Sequence, residues 1–134
     1  MPQKILIIED NQDCREIFAM LIRHLGYEVM QASSAAAGME KALNEQPDLI
    51  LLDLVLPHMS GIEVTARLKN TPSTRDIPVI ICTASMGKHG IDEAIYRGAI
   101  EVLTKPVSKA LLNEVLRRHL APATVTGSDP CGER

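Results

Sequence analysis

Four short apolar runs, each ending on a polar residue, constrain this chain more than any other feature. Ile5-Leu6-Ile7-Ile8 runs into Glu9-Asp10, Leu49-Ile50-Leu51-Leu52 into Asp53, Val79-Ile80-Ile81-Cys82 into Thr83, and Val102-Leu103-Thr104 into Lys105. Runs of this length, rich in branched side chains and separated by helix-length amphipathic stretches, read as strands buried on both faces of a parallel sheet. In an open parallel α/β sheet, ligands gather in the crevice outside the carboxyl ends of the strands. The five polar residues therefore mark a site, and the fold it implies is a single-domain, doubly wound α/β sheet.

The stretches between the runs agree. Asn11 to Asp13 offer helix N-caps, and Ile17, Phe18, Leu21, Ile22 and Leu25 recur at helical spacing, predicted to face inward, until Gly26 stops the helix. Glu28 to Ala32 is a further strand. Ser33 or Ser34 caps a second helix carrying Ala36, Met39, Ala42 and Leu43, which Pro47 closes. After a loop from Leu54 to Gly61, a third helix turns Ile62, Thr65 and Leu68 inward. A fourth runs from about His89 to Arg97 with Ile91 and Ile95 inward, and Gly98 ends it. Ser108 caps the last, with Leu111, Leu112, Val115, Leu116 and Leu120 as its apolar stripe. The order is five βα repeats over residues 1–120. Residues 121–134 are rich in Pro, Thr, Gly and Ser without a period and read as a flexible C-terminal tail.

Composition removes several classes. At 134 residues the chain is long enough for one self-sufficient core. Its 14 Lys and Arg against 17 Asp and Glu give −3, with no basic stripe, so nucleic acid is not expected as a direct partner. No apolar run approaches the ~20 residues that cross a bilayer. Cys14, Cys82 and Cys131 are odd in number and form no CxxC pair, which points to plain thiols in a reducing cytoplasm, with Cys82 a buried strand thiol. His24, His58, His89 and His119 lack zinc-ligand spacing. Tyr96 is either a half-buried packing residue or a partner contact.

The clustered polar residues have a definite chemistry. Glu9, Asp10 and Asp53 titrate near ~4 as free side chains, and carboxylates about 4 Å apart repel by several kcal/mol at an effective dielectric of about 20. A hard divalent cation relieves that repulsion, and Mg²⁺ suits two or three carboxylates with water and a phosphoryl oxygen. Lys105 adds a fixed positive charge. A carboxylate beside two such cations can act as a nucleophile toward phosphorus, and Asp53, alone at a strand end, is the best placed. The Thr83 hydroxyl can donate to a phosphoryl oxygen.

Lys4 to Asp10, the stretch Asp53-Leu54-Val55-Leu56-Pro57-His58-Met59-Ser60-Gly61, the pair Thr83-Ala84 and the pair Lys105-Pro106 closely resemble the receiver domain of bacterial two-component response regulators, in its single-domain, chemotaxis-regulator-like form. The resemblance spans about Lys4 to Leu120. It implies a flavodoxin-like five-stranded parallel sheet in the order 2-1-3-4-5. It also implies Mg²⁺ held by Asp10, Asp53, the Val55 backbone carbonyl and, through water, Glu9. Asp53 would accept the phosphoryl group, Thr83 and Lys105 would bind it, and Lys105-Pro106 would be cis as in many relatives. The phosphoryl donor would be a histidine kinase or histidine phosphotransfer protein, and the modified form would act on a downstream protein that the sequence does not name.

The chain departs from the family pattern at Val102, where relatives usually carry Phe or Tyr as a side chain that swings inward on phosphorylation. Val107 stands where an aromatic or Leu is common. Val55 and Ser85, at positions that tune phosphoryl lifetime in relatives, offer no carboxylate or amide to orient water, so slow self-dephosphorylation is expected.

Two other classes compete. A degenerate receiver acting as a constitutive binding module is favoured slightly by Val102 and disfavoured by the complete set of five polar residues. A phosphohydrolase with an aspartyl nucleophile commonly needs a second Asp two residues on, where Val55 stands. No GxxxxGK[ST] or GxGxxG cradle is present for ATP or NAD. The expected role is regulatory, with self-catalysed phosphotransfer and dephosphorylation as the only reactions.

Overall fold

A computed structural model describes residues 3–84 and 88–120. The chain alternates β1 (Lys4–Ile8), α1 (Gln12–His24), β2 (Glu28–Ala32), α2 (Ala35–Glu45), β3 (Leu49–Asp53), α3 (Gly61–Lys69), β4 (Val79–Thr83), α4 (Lys88–Tyr96), β5 (Glu101–Thr104) and α5 (Lys109–His119). The strands form one parallel sheet in the order β2-β1-β3-β4-β5. The five βα repeats and the flavodoxin-like order are as expected.

Alternation along each strand builds two cores. Leu6, Ile8, Ile50, Leu52, Val79 and Ile81 face one side with α2, α3 and α4, while Ile5, Ile7, Leu49, Leu51, Ile80 and Cys82 face the other with α1 and α5. Burying each such Leu or Ile is worth roughly 1.5–3 kcal/mol, so the strands are pinned from both faces. Their common register brings Ile8, Leu52 and Ile81 level, and their carboxyl ends open on one edge.

Helix starts follow side-chain caps. Asn11 accepts from Cys14, Ser34 from Ala37, Ser60 from Glu63 and Ser108 from Leu111, each through the backbone N–H three residues on. Gly26 and Gly98, where the first and fourth helices were predicted to stop, have φ of 99° and 120°.

The inward faces are narrower than the sequence pattern predicts. Ile17 (54% exposed), Leu43 (47%), Ile95 (45%) and Leu111 (38%) are exposed rather than inward, and so is Ala36. In α1 the stripe is Phe18, Ala19 and Ile22, and Ile17 lies on its outer flank with Met20. In α2 the small residues Ala35, Gly38 and Ala42 meet the sheet so closely that a Cβ at Gly38 would collide with the Ile8 side chain. Leu43 has no room on that face. Ala94 plays the same part in α4, and Leu112, Val115 and Leu116 in α5. Tyr96 is 84% exposed, so its reading as a packing residue is set aside.

The predicted tail from residue 121, Cys131, and the Ser85 position lie outside the described residues. No helix among the described residues is long and apolar enough to cross a membrane.

Candidate functional site

Strand order reverses between β1 and β3, and the crevice at that reversal holds the site. Glu9 follows β1, Asp53 ends β3, Thr83 ends β4, and Lys105 follows β5. All four line one cleft of about 960 Å³ with Asp10 and Val55. One carboxylate oxygen from each of Glu9, Asp10 and Asp53 lies within 4.8 Å of the other two, close enough to hold a single cation. Val55 is 70% exposed at the rim, and the Lys105-Pro106 peptide bond is cis.

Adjacent in sequence, Glu9 and Asp10 are opposites in environment. Asp10 is exposed, whereas Glu9 is 3% exposed and engaged at every polar atom. Its N–H donates to the Ala32 carbonyl at 3.0 Å, and its own carbonyl accepts from Arg15 at 3.0 Å. Oε1 accepts from the Lys105 ammonium at 2.7 Å and Oε2 from the Asn11 N–H at 3.2 Å. Lys105 also reaches Asp53 Oδ1 at 3.4 Å. Its position is tied to β4 through its N–H, which donates to the Thr83 carbonyl at 2.7 Å.

Charge is not balanced. Burial, and then the negative charge of Glu9, push the Asp53 carboxyl up to about 6, with Lys105 pulling it down only in part. Burial disfavours the Lys105 ammonium, but its hydrogen bond to Glu9 and the charges of Asp53 and Glu9 outweigh that, and its pKa is raised. Three carboxylates facing one ammonium leave excess negative charge, and this all-oxygen donor set fits a hard divalent cation.

The sheet thus brings Glu9, Asp10, Asp53, Val55, Thr83 and Lys105 to one cleft. Cys82 is buried on the far face, and burial lifts its thiol to about 12, in keeping with an inert strand thiol.

Other residues escaped the sequence reading. Arg15 holds the Glu9 carbonyl, and Gln12 and Cys14 line the cleft. Gly61, read only as punctuation, packs so tightly under β3 that a Cβ there would collide with the Asp53 carbonyl oxygen. One local signal existed for Arg15: a cation four residues after an N-cap runs against the helix dipole, which favours acids there.

Comparison with known proteins agrees with this geometry. The response regulator receiver domain matches residues 5–117. The polar-differentiation response regulators DivK of Brucella anthropi and Brucella ovis are each 38% identical over 124 residues, covering 92% of this chain and all of theirs. Among solved structures, the chemotaxis protein CheY4 of Vibrio cholerae superposes with a TM-score of 0.85 at 25% identity, over 90% of this chain and 100% of that one. The receiver domain of the sensor histidine kinase PA1611 from Pseudomonas aeruginosa, which has a magnesium ion coordinated in its active-site cleft, gives 0.82 at 28% identity over 89% and 98%. The chain belongs to the response regulator receiver domain family and acts as a regulatory phosphoacceptor in two-component signalling rather than as a classical enzyme.

Proposed function

We propose that Asp53 is the phosphoacceptor, taking a phosphoryl group from the phosphohistidine of a histidine kinase or histidine phosphotransfer protein. The observation that carries this reading is the place of Asp53: at a strand end, in an open cleft, 3.4 Å from Lys105 and beside two further carboxylates. An Asp53 carboxylate oxygen attacks phosphorus, and the nitrogen–phosphorus bond of the donor breaks. Lys105 and the Thr83 hydroxyl then bind phosphoryl oxygens, which holds the acyl phosphate in place.

Asp10, Asp53, the Val55 carbonyl and, through water, Glu9 would hold the cation. We take it to be Mg²⁺, as in the receiver domain of PA1611. When bound, it supplies neutralisation of the phosphoryl oxygens and of the carboxylate cluster. The chain's own part is positional: Glu9 is fixed at all its polar atoms, so Lys105 is held at the cleft before phosphate arrives.

Phosphorylation favours one of two conformers through contacts made by Thr83 and Lys105, and the modified conformer binds a downstream protein better. The receiver domain is taken to reach residue 120, just past the residues 5–117 that match the family. The free thiols Cys14 and Cys82 support a reducing cytoplasm as its compartment. Incubation with a small-molecule phosphodonor, with Mg²⁺ and with EDTA, tests the reading. We expect one phosphoryl group per chain with Mg²⁺ and little with EDTA. No labelling under either condition favours the constitutive binding module.

A further inference from the structure

We infer that Arg15 is a positioning residue for the metal end of the site, acting through the peptide that joins Glu9 to Asp10. The inference rests on the metal reading above. Arg15 lies in the first turns of α1, and its guanidinium bridges the residue that follows β1 and a side chain of β2: Nη1 donates to the Glu9 carbonyl at 3.0 Å and Nε to Gln31 Oε1 at 3.2 Å. The N–H of Glu9 is held by Ala32 on the same strand, so both ends of the Glu9 main chain are fixed against β2.

This matters most for Asp10. Its side chain is exposed, so its direction is set by the backbone it hangs from rather than by surrounding packing. Arg15 orients that backbone. A planar fork with donors at fixed angles can bridge a carbonyl and a side-chain amide at once, which a lysine ammonium does not reproduce. Groups that orient metal ligands typically change metal affinity by 10- to 100-fold when removed.

Charge and positioning predict opposite signs. A guanidinium beside a cation site repels the cation, so if charge dominated, removing Arg15 would tighten metal binding. If positioning dominates, removal weakens it, and Arg15→Lys weakens it too although the charge is kept.

Titration of the full chain with Mg²⁺ alone, followed by calorimetry or by amide resonances, decides between them. Arg15→Ala should bind about tenfold more weakly. Gln31→Ala, which removes the far anchor of the guanidinium, should weaken binding less, and the double variant should be no worse than Arg15→Ala. In phosphodonor labelling, Arg15→Ala should need more Mg²⁺ for half-maximal rate yet reach the wild-type rate at saturation. A merely structural loss would lower both. Asp10→Ala serves as the control. Unchanged or tighter binding in Arg15→Ala beside weakened binding in Asp10→Ala overturns the role of Arg15 alone. Unchanged binding in both overturns the metal reading, and this inference with it. Should Arg15→Ala fail to fold, unchanged affinity in Gln31→Ala and Arg15→Lys overturns the inference equally.

Discussion

The Lys105 ammonium binds Glu9 across 96 residues of sequence, at 2.7 Å, in an environment where the Glu9 side chain is only 4% exposed. Without a cation, Lys105 therefore serves first as the counter-ion of Glu9. Removing one partner of such a pair leaves a buried charge uncompensated. Lys105→Met should lower stability by about 1–3 kcal/mol in the absence of divalent cations, with a smaller loss in Mg²⁺, because the pair is partly open to solvent. Urea unfolding of both proteins in each condition checks it.

Asp53 makes the pH dependence run against the usual carboxylate trend. Its carboxyl is raised from 3.8 to about 6 in the native chain, so the native state keeps a proton that the unfolded chain has lost. Stability attributable to Asp53 therefore falls as pH rises between those values and stays lowered above them, by on the order of 2 kcal/mol. Asp53→Asn should be more stable than wild type at pH 7 without Mg²⁺ and should lose that advantage by pH 4. Denaturant midpoints across this range measure the difference.

Most of the strand framework is legible in the sequence because it depends on local pattern: the apolar runs ending at Ile8, Asp53 and Thr83 are the strands observed. Clustering of the site followed from strand ends meeting on one edge of a parallel sheet. Tertiary pairing was not legible. Nothing near Arg15 announces Gln31 as its partner, and the sequence separation of Lys105 and Glu9 gives no sign that they touch. Helix faces were overdrawn at Ile17, Leu43, Ile95 and Leu111, because periodicity reports apolar character and not how closely a helix meets its sheet. Gly38 and Ala94 show that small residues took the closest positions.

Gly61 supports the main chain at Asp53, the proposed phosphoacceptor. A Cβ there would collide with the Asp53 carbonyl oxygen and lie 2.9 Å from Leu54 Cα, and both are backbone atoms that cannot rotate away. Gly61→Ala should cost about 1–3 kcal/mol of stability and weaken Mg²⁺ binding, since relief requires the end of β3 to move. Thermal unfolding and Mg²⁺ titration report the two effects separately.

Val102 packs, partly buried, against the core under α2, α3 and α4, and pairs with Ile81 on β4. A branched two-methyl side chain cannot fill both an inward pocket and an outward site as an aromatic ring does, so we predict that the switch leans on Thr83 rather than on position 102. Thr83→Ala should accept phosphate yet lose most phosphate-dependent partner binding, whereas Val102→Ala should keep it. Pull-down from the native host, with and without phosphodonor, compares the two variants. A Val102→Ala chain that labels normally but no longer responds returns the relay to position 102.

The assignment of Asp53 as phosphoacceptor is tested most directly by locating the phosphoryl group after Mg²⁺-dependent labelling, using intact mass and peptide mapping of wild type and Asp53→Asn. The predicted result is one group on the wild-type peptide containing Asp53 and none on a folded Asp53→Asn chain. Stoichiometric labelling of the variant at another residue, or of the wild type outside that peptide, would contradict it.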